Sequence, residues 1–306
     1  MRPKFGRVTV QAMRDLSNGE LGRRAAARLG ERLAYLADDK RGQWPIDPHG
    51  LARVCGVKSV EDAVSLEESG RLETKKGGHR ILVRASDSKT RKRFTVAHEL
   101  GHTFFASSQD EDRKYSREEE ARCNVFAAAL LMPKASFVRG FSESIKLGPT
   151  RCVLALAKRF VVGPEAVLRR LRELSLLSKT PYIVATLSRQ GGVWAVDQAI
   201  YDRSLYERLE GRVAKDLGIE PTQGIRPLAQ AGSVRQTVAT VNVRLHPRRG
   251  RVAGTMLLPS AISYTNLPSI KMPRVLVGIE PLVDPASGAS ALATTRASTQ
   301  KQFSLR

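Results

Sequence analysis

The stretch Arg93-Phe94-Thr95-Val96-Ala97-His98-Glu99-Leu100-Gly101-His102 decides how this chain is read. Phe94, Val96 and Ala97, with Phe104 and Phe105 beyond, predict a largely buried helix running from Phe94 to Ala106. His98 and His102 stand four residues apart. On a helix that spacing stacks two imidazoles on one face, one turn above the other, within reach of a single metal ion. Glu99 points beside such an ion rather than into it. A carboxylate there is placed to take a proton from an attacking water and pass it to a leaving amine. Zinc suits the set, because it is redox-inert, accepts imidazole and carboxylate, and brings the pKa of bound water to about 7.

A hydrolytic zinc takes three protein ligands and keeps one position open. The third ligand is expected on a second helix, Glu118 to Met132, which the acidic run Glu118-Glu119-Glu120 opens and Pro133 ends. Periodicity does not choose among the three. Glu120 shares a face with Asn124 and Leu131, whereas Glu119 shares one with Cys123 and Phe126. The carboxylates that do not bind metal have an ordinary role in the first turn, where the helix dipole favours negative charge. Cys123 is a further candidate donor, although a buried structural thiol is the commoner state.

Together, Arg93 to His102 and the block Glu120-Ala121-Arg122-Cys123-Asn124-Val125-Phe126-Ala127-Ala128-Ala129-Leu130-Leu131-Met132-Pro133 resemble the ImmA/IrrE family of regulatory zinc metallopeptidases. Both blocks match in order and type, and the likeness extends over about residues 45–175. The resemblance implies that His98, His102 and Glu120 hold one zinc ion and that Glu99 is the general base. It also implies a substrate: a helix-turn-helix repressor of the XRE type, cut to release the genes it silences.

Outward from this centre, the leucines and alanines of residues 19–37 fall at helical spacing, and Asp47-Pro48 opens a short helix. Residues 70–84 are expected to form a β-hairpin about Lys75-Lys76-Gly77-Gly78. A helical pair spans about 149–178 around the turn Val161-Val162-Gly163-Pro164. It is strongly basic, with Arg151, Lys158, Arg159, Arg169, Arg170 and Arg172 against Glu165 over residues 151–172. Its texture is that of a helix-turn-helix, which makes Arg159, Arg169, Arg170 and Arg172 candidate DNA contacts. Packing against the peptidase helices, with the arginines on a solvated face, is the favoured alternative.

After Thr180-Pro181 the pattern turns to β-rich alternation. Strands are expected at 182–187, 193–196, 237–245, 251–258 and 274–280, with one helix at about 204–217. This half resembles, in order and texture, the GAF-like sensing module that follows the peptidase in radiation-response members. The basic turn Pro247-Arg248-Arg249-Gly250-Arg251 reads as a solvated hairpin tip. The expected class is therefore α+β. A mostly helical zinc-peptidase domain with a small sheet occupies residues 1–146, a helix-turn-helix-like segment 147–179, a β-rich domain 180–283, and a disordered Ala/Ser/Thr-rich tail 284–306.

Composition sets the outer limits. The chain has 306 residues, 42% hydrophobic and 26% charged, which excludes collagenous, disulfide-scaffold and wholly disordered classes. No run approaches the ~20 apolar residues that span a bilayer. The basic start Met1 to Arg7 lacks a following apolar stretch, so no secretory signal is expected. Three widely spaced cysteines, Cys55, Cys123 and Cys152, fit reduced thiols and a cytoplasmic location. The net charge is +21, of which the short segment 141–180 carries +5. That excess favours polyanionic partners and motivates a second expectation, a DNA-binding regulator that keeps the peptidase fold as a non-proteolytic scaffold. The retained Glu99, which a relic would be expected to lose first, favours the enzyme.

Overall fold

The computed structural model describes residues 22–37, 44–75, 78–105, 115–177, 180, 182–204, 206–219, 234–245, 254–267 and 274–282. Within them lie helices α1 (Arg23–Ala37), α2 (Pro48–Val54), α3 (Lys89–Phe105), α4 (Arg117–Leu131), α5 (Lys134–Ser144), α6 (Pro149–Phe160) and α7 (Pro164–Glu173). The strands are β1 (Val57–Ala63), β2 (Gly70–Lys75), β3 (Gly78–Arg84), β4 (Ile183–Gln190), β5 (Val193–Ile200), β6 (Arg235–Leu245), β7 (Gly254–Leu267) and β8 (Arg274–Pro281). The class is α+β. Two compact units divide the chain: Met1–Ser144 with Val153–Leu174, and Ile145–Cys152 with Ser175–Arg306. Residues 153–174, expected in a separate segment, thus group with the first unit, and residues 145–152 with the second.

In the first unit, α1 buries Ala26, Leu29, Leu33 and Ala34 and packs along α4. Its arginines 24, 28 and 32 lie on the exposed side. Helix α4 is buried nearly all round from Phe126 to Leu131, which is why its sequence shows almost no polar face. A three-stranded sheet of order β1-β3-β2 completes the layer. Strand β2 runs antiparallel to β3, as a hairpin about residues 75–78 requires, and β1 adds on the other side parallel to β3. Strand β1 was not expected, because only Val57 of its seven residues is buried and its sequence carries no apolar alternation. Helix α3 lies against β2 and β3 and begins at Lys89, one turn earlier than Phe94, where the Ser88 hydroxyl accepts from the Arg91 N–H at 3.3 Å. Buried Arg93 anchors that helix by donating to the carbonyls of Val161 (3.2 Å) and Ile46 (2.5 Å).

The helical pair α6–α7 is part of this core through Phe160, Val167, Leu168 and Leu171. Pro164 occupies the first position of α7, as the sequence predicts. Arg170 is fully buried. Its guanidinium donates to the Met132 carbonyl at 3.0 Å, to Glu31 at 2.7 Å and to Glu173 at 2.8 Å, so α1, α7 and the end of α4 meet at one cation.

The second unit is built on a five-stranded antiparallel sheet of order β5-β4-β8-β7-β6. Strands β4 and β5 are joined by Gly191-Gly192, whose φ angles of 54° and 87° supply the left-handed pair that a tight two-residue hairpin needs. One face of β4 and β8 carries Ile183, Ala185, Leu187, Val275, Val277 and Ile279 into the core. The alternate residues Val184, Thr186, Ser188 and Leu276 are buried as well. Burial on both faces explains the near-continuous apolar run of β4.

The helix expected at 204–217 does not form; this segment is irregular and ends in the 3-10 turn Lys215–Leu217. Its backbone pairs with β5 instead: Gly211 N–H donates to the Val196 carbonyl (2.8 Å), Val196 N–H to Arg212 (3.0 Å) and Ala214 N–H to Trp194 (2.8 Å). Gly211, at φ 84°, turns the chain into that pairing. Tyr206, Leu209 and Leu217 still reach the core at spacings that mimic a helix. Residues 19–21, the basic turn 247–251, the start of the strand expected at 251–258 and the tail 284–306 lie outside the described residues.

Candidate metal centre

The turn of α3 that carries His98 faces the first turn of α4, and three donor atoms converge between them. His98 Nε2 and His102 Nε2 are 3.2 Å apart. Glu120 Oε2 lies 3.2 Å from His98 Nε2, and Glu120 Oε1 lies 3.4 Å from His102 Nε2. Among the described residues this is the only set of three or more His, Cys, Asp or Glu side chains drawn together closely enough to hold one metal ion. His102 is buried at 1% exposure, whereas half of Glu120 is open. Burial, with His98 beside it, lowers the His102 pKa to about 4, so the imidazole is neutral and its lone pair free near pH 7. A hydrogen bond from His98 holds the Glu120 carboxyl below its ordinary value, so that group is ionised.

The local structure separates three glutamates that look alike in sequence. Glu118 turns outward and pairs with Arg23 at 3.0 Å. Glu119 closes a capping box: its N–H donates to the Ser116 hydroxyl (3.2 Å) and its carboxylate accepts from the Ser116 N–H (2.9 Å). Glu120, the next residue, is thereby directed at the histidines. Cys123 lies outside the cluster. Its buried thiol fills the space beside Gly101, where an added Cβ would stand 3.2 Å from Sγ, and burial raises its pKa so that it stays protonated. The small residue at 101 is what lets α3 approach α4 this closely.

Glu99 lies on the sheet side of α3 at 6% exposure. Burial pushes its carboxyl up to about 7; Glu120 adds to the rise, while His98 and a hydrogen bond from the Leu72 backbone oppose it. Strand β2 therefore touches the site through its main chain. Gly70 makes this possible: an added Cβ there would fall 2.2 Å from Thr95 Cγ2 and 3.1 Å from Glu99 Oε1.

Two contributors were not anticipated, β2 and Tyr115. The Tyr115 ring stacks on His102 with centroids 3.7 Å apart and planes 19° from parallel. Its position just before the Ser116 cap was a usable signal, because the residue preceding an N-cap adjoins the fourth helical position, here Glu120. Of the arginines considered for DNA, Arg170 is excluded: it is enclosed in the first unit and bonded to Glu31, Glu173 and Met132. Arg159 pairs with Glu143 at 2.5 Å, and Arg169 and Arg172 are exposed on α7.

Residues 53–172, which include the whole donor set, match the peptidase family described as the IrrE N-terminal-like domain. Over that range, about two fifths of its length, the chain is similar to this family. The IrrE-like segment is 34% identical over 103 residues to the radiation response metalloprotease IrrE of Deinococcus radiodurans, covering 30% of this chain and 30% of that protein. It is also 34% identical over 122 residues to the radiation response metalloprotease IrrE of Deinococcus deserti, covering 37% of this chain and 42% of that protein. The match thus spans less than half of either IrrE relative. A solved structure of a Mycobacterium tuberculosis transcriptional regulator aligns over 88% of this chain and 81% of its own, with a TM-score of 0.49 and 16% identity.

Proposed function

We propose that the chain is a zinc-dependent endopeptidase whose centre is His98, His102 and Glu120, with Glu99 as general base. The observation that carries this reading is the convergence of three side chains: His98 Nε2 and His102 Nε2 stand 3.2 Å apart, and the Glu120 oxygens Oε2 and Oε1 lie 3.2 and 3.4 Å from one imidazole each. Ligands held at ~2.0–2.1 Å in a tetrahedron stand roughly 3.3–3.4 Å apart, a spacing close to these separations, so the three side chains suit one zinc ion with a fourth position left for water or substrate. Bound there, zinc supplies Lewis acidity toward a peptide carbonyl and toward water.

The chain's own groups supply the proton chemistry. Glu99, with an affinity for protons near neutrality, accepts one from the attacking water and delivers it to the amine nitrogen as the peptide C–N bond breaks. The Leu72 N–H holds the carboxylate in place while it is ionised. Neutral His102 and ionised Glu120 need no proton release before they can ligate.

The substrate belongs to the same proposal: an XRE-type helix-turn-helix repressor, as the family resemblance implies, met in the cytoplasm, the location that the reduced cysteines favour. Among the described residues no helix is long and apolar enough to cross a membrane. The β-rich second unit is proposed as a GAF-like sensor that governs when cleavage occurs. The test is co-incubation with a helix-turn-helix repressor of the XRE type, with and without a chelator. Single-site cutting that the chelator stops and that Glu99→Gln abolishes, with about one zinc still bound, is the expected result. Cleavage by Glu99→Gln at the wild-type rate would overturn the mechanism.

A further inference from the structure

His102 is the most enclosed of the three donors, and only one of its two ring nitrogens is accounted for. Nε2 faces His98 and Glu120, while Nδ1 is buried without a hydrogen-bond partner among the described residues. A metal-binding imidazole ordinarily donates its second ring N–H to a carboxylate or carbonyl, and that bond fixes the plane of the ring. An imidazole without it depends on packing to resist rotation about its χ2 torsion, which is intrinsically broad. Something else must hold the His102 plane if Nε2 is to stay aimed at the open corner.

Tyr115 covers the face of that imidazole, near-parallel at 3.7 Å. At that separation the two rings are in van der Waals contact, so rotation of either ring would drive it into the other. Tyr115 is itself fixed by its neighbours in the chain. It immediately precedes Ser116, whose hydroxyl and N–H are both locked to Glu119 in the capping box. One local motif therefore places both the third donor, Glu120, and the ring that covers the second, His102.

We propose that Tyr115 is a positioning residue of the metal centre, its ring doing for His102 the orienting task that a hydrogen bond to Nδ1 performs in other sites. The inference rests on the zinc-site reading above, and it assigns the effect to the aromatic face rather than to the hydroxyl. Tyr115→Phe keeps the stack; Tyr115→Leu keeps bulk without an aromatic face, and Tyr115→Gln suits a partly buried position should Leu not fold.

The experiment is metal titration of the stripped full chain, zinc competed against a chromophoric chelator and cobalt(II) followed by its visible absorption. Wild type should bind one equivalent, and Tyr115→Phe should follow it within about twofold with the same cobalt spectrum. Tyr115→Leu and Tyr115→Gln should bind zinc roughly tenfold more weakly and show an altered cobalt band, the signature of a displaced ligand. Wild-type affinity and spectrum in a folded Leu or Gln variant would overturn the proposal. So would a Phe variant as weak as Leu, which would assign the effect to the hydroxyl. Wild type that binds neither metal would instead remove the zinc-site reading itself, before any variant is compared.

Discussion

At the residue scale, Glu99 is strongly conditioned by its burial. Its identity was legible because His98-Glu99-Leu100-Gly101-His102 is a local pattern, and helix geometry alone sets where its side chains point. Its environment was not legible, because burial depends on β2, about thirty residues away in the chain. Burial has a measurable consequence in the metal-free protein. The unfolded chain releases the Glu99 proton near pH 4.5, whereas the folded chain keeps it until about pH 7. Stability from this group is therefore complete below pH 4.5 and is lost as pH rises to about 7. His102, lowered to about 4, works in the opposite sense between pH 4 and 6.5, so wild type alone would hide the effect. The difference between wild type and Glu99→Gln isolates it. Metal-free Glu99→Gln should be more stable than metal-free wild type at pH 8, by an amount on the order of 3 kcal/mol, with the advantage shrinking toward pH 5. Denaturant midpoints at the two pH values decide it, and an advantage that does not vary with pH would refute the assignment.

At the element scale, the site is a meeting of two helices and an edge strand, and each junction uses a small residue. Periodicity revealed both helices because their apolar residues recur along the chain. It could not separate Glu118, Glu119 and Glu120, because what separates them is an ion pair to Arg23, a cap to Ser116 and the histidines. Nor could it show that Arg170, in a run of exposed-looking arginines, is sealed against Glu31 and Glu173. The contact between β2 and α3 provides the sharper test. Gly70→Ala places a methyl group 2.2 Å from Thr95 Cγ2, so strand and helix must separate and the Leu72 N–H must move with the strand. A loss of about 1–3 kcal/mol in stability is expected, typical of overpacking, together with reduced turnover in the proposed peptidase reaction at unchanged metal affinity. Adding Thr95→Ser deletes the clashing Cγ2 and should recover most of both losses. A double variant no better than Gly70→Ala would show that the damage lies elsewhere.

At the scale of the whole molecule, net charge pointed to nucleic acid, while the converged chemistry uses two imidazoles and two carboxylates. The +21 does not enter the donor set. Sequence also set residues 147–179 apart, because a helical pair is visible by its own periodicity; the ion pairs of Arg170 that bind it to the first unit join residues more than a hundred positions apart. Each unit has its own core, and the chain's two tryptophans fall one in each. Trp44 lies in the first unit, its ring 5.8 Å from Phe160; Trp194 packs, partly buried, on the core of the second. Metal at the proposed centre of His98, His102 and Glu120 would bind the native first unit alone, and a ligand that binds only the native state at 100 times its Kd stabilises that state by about 2.7 kcal/mol. Trp194→Phe leaves Trp44 as the sole reporter, and its transition should rise with zinc and fall with chelator. Trp44→Phe leaves Trp194, whose transition should stay where it is under the same additions. Equal shifts in the two variants would mean that the units unfold as one cooperative body, and a zinc-insensitive Trp44 transition would mean that the metal does not bind the first unit.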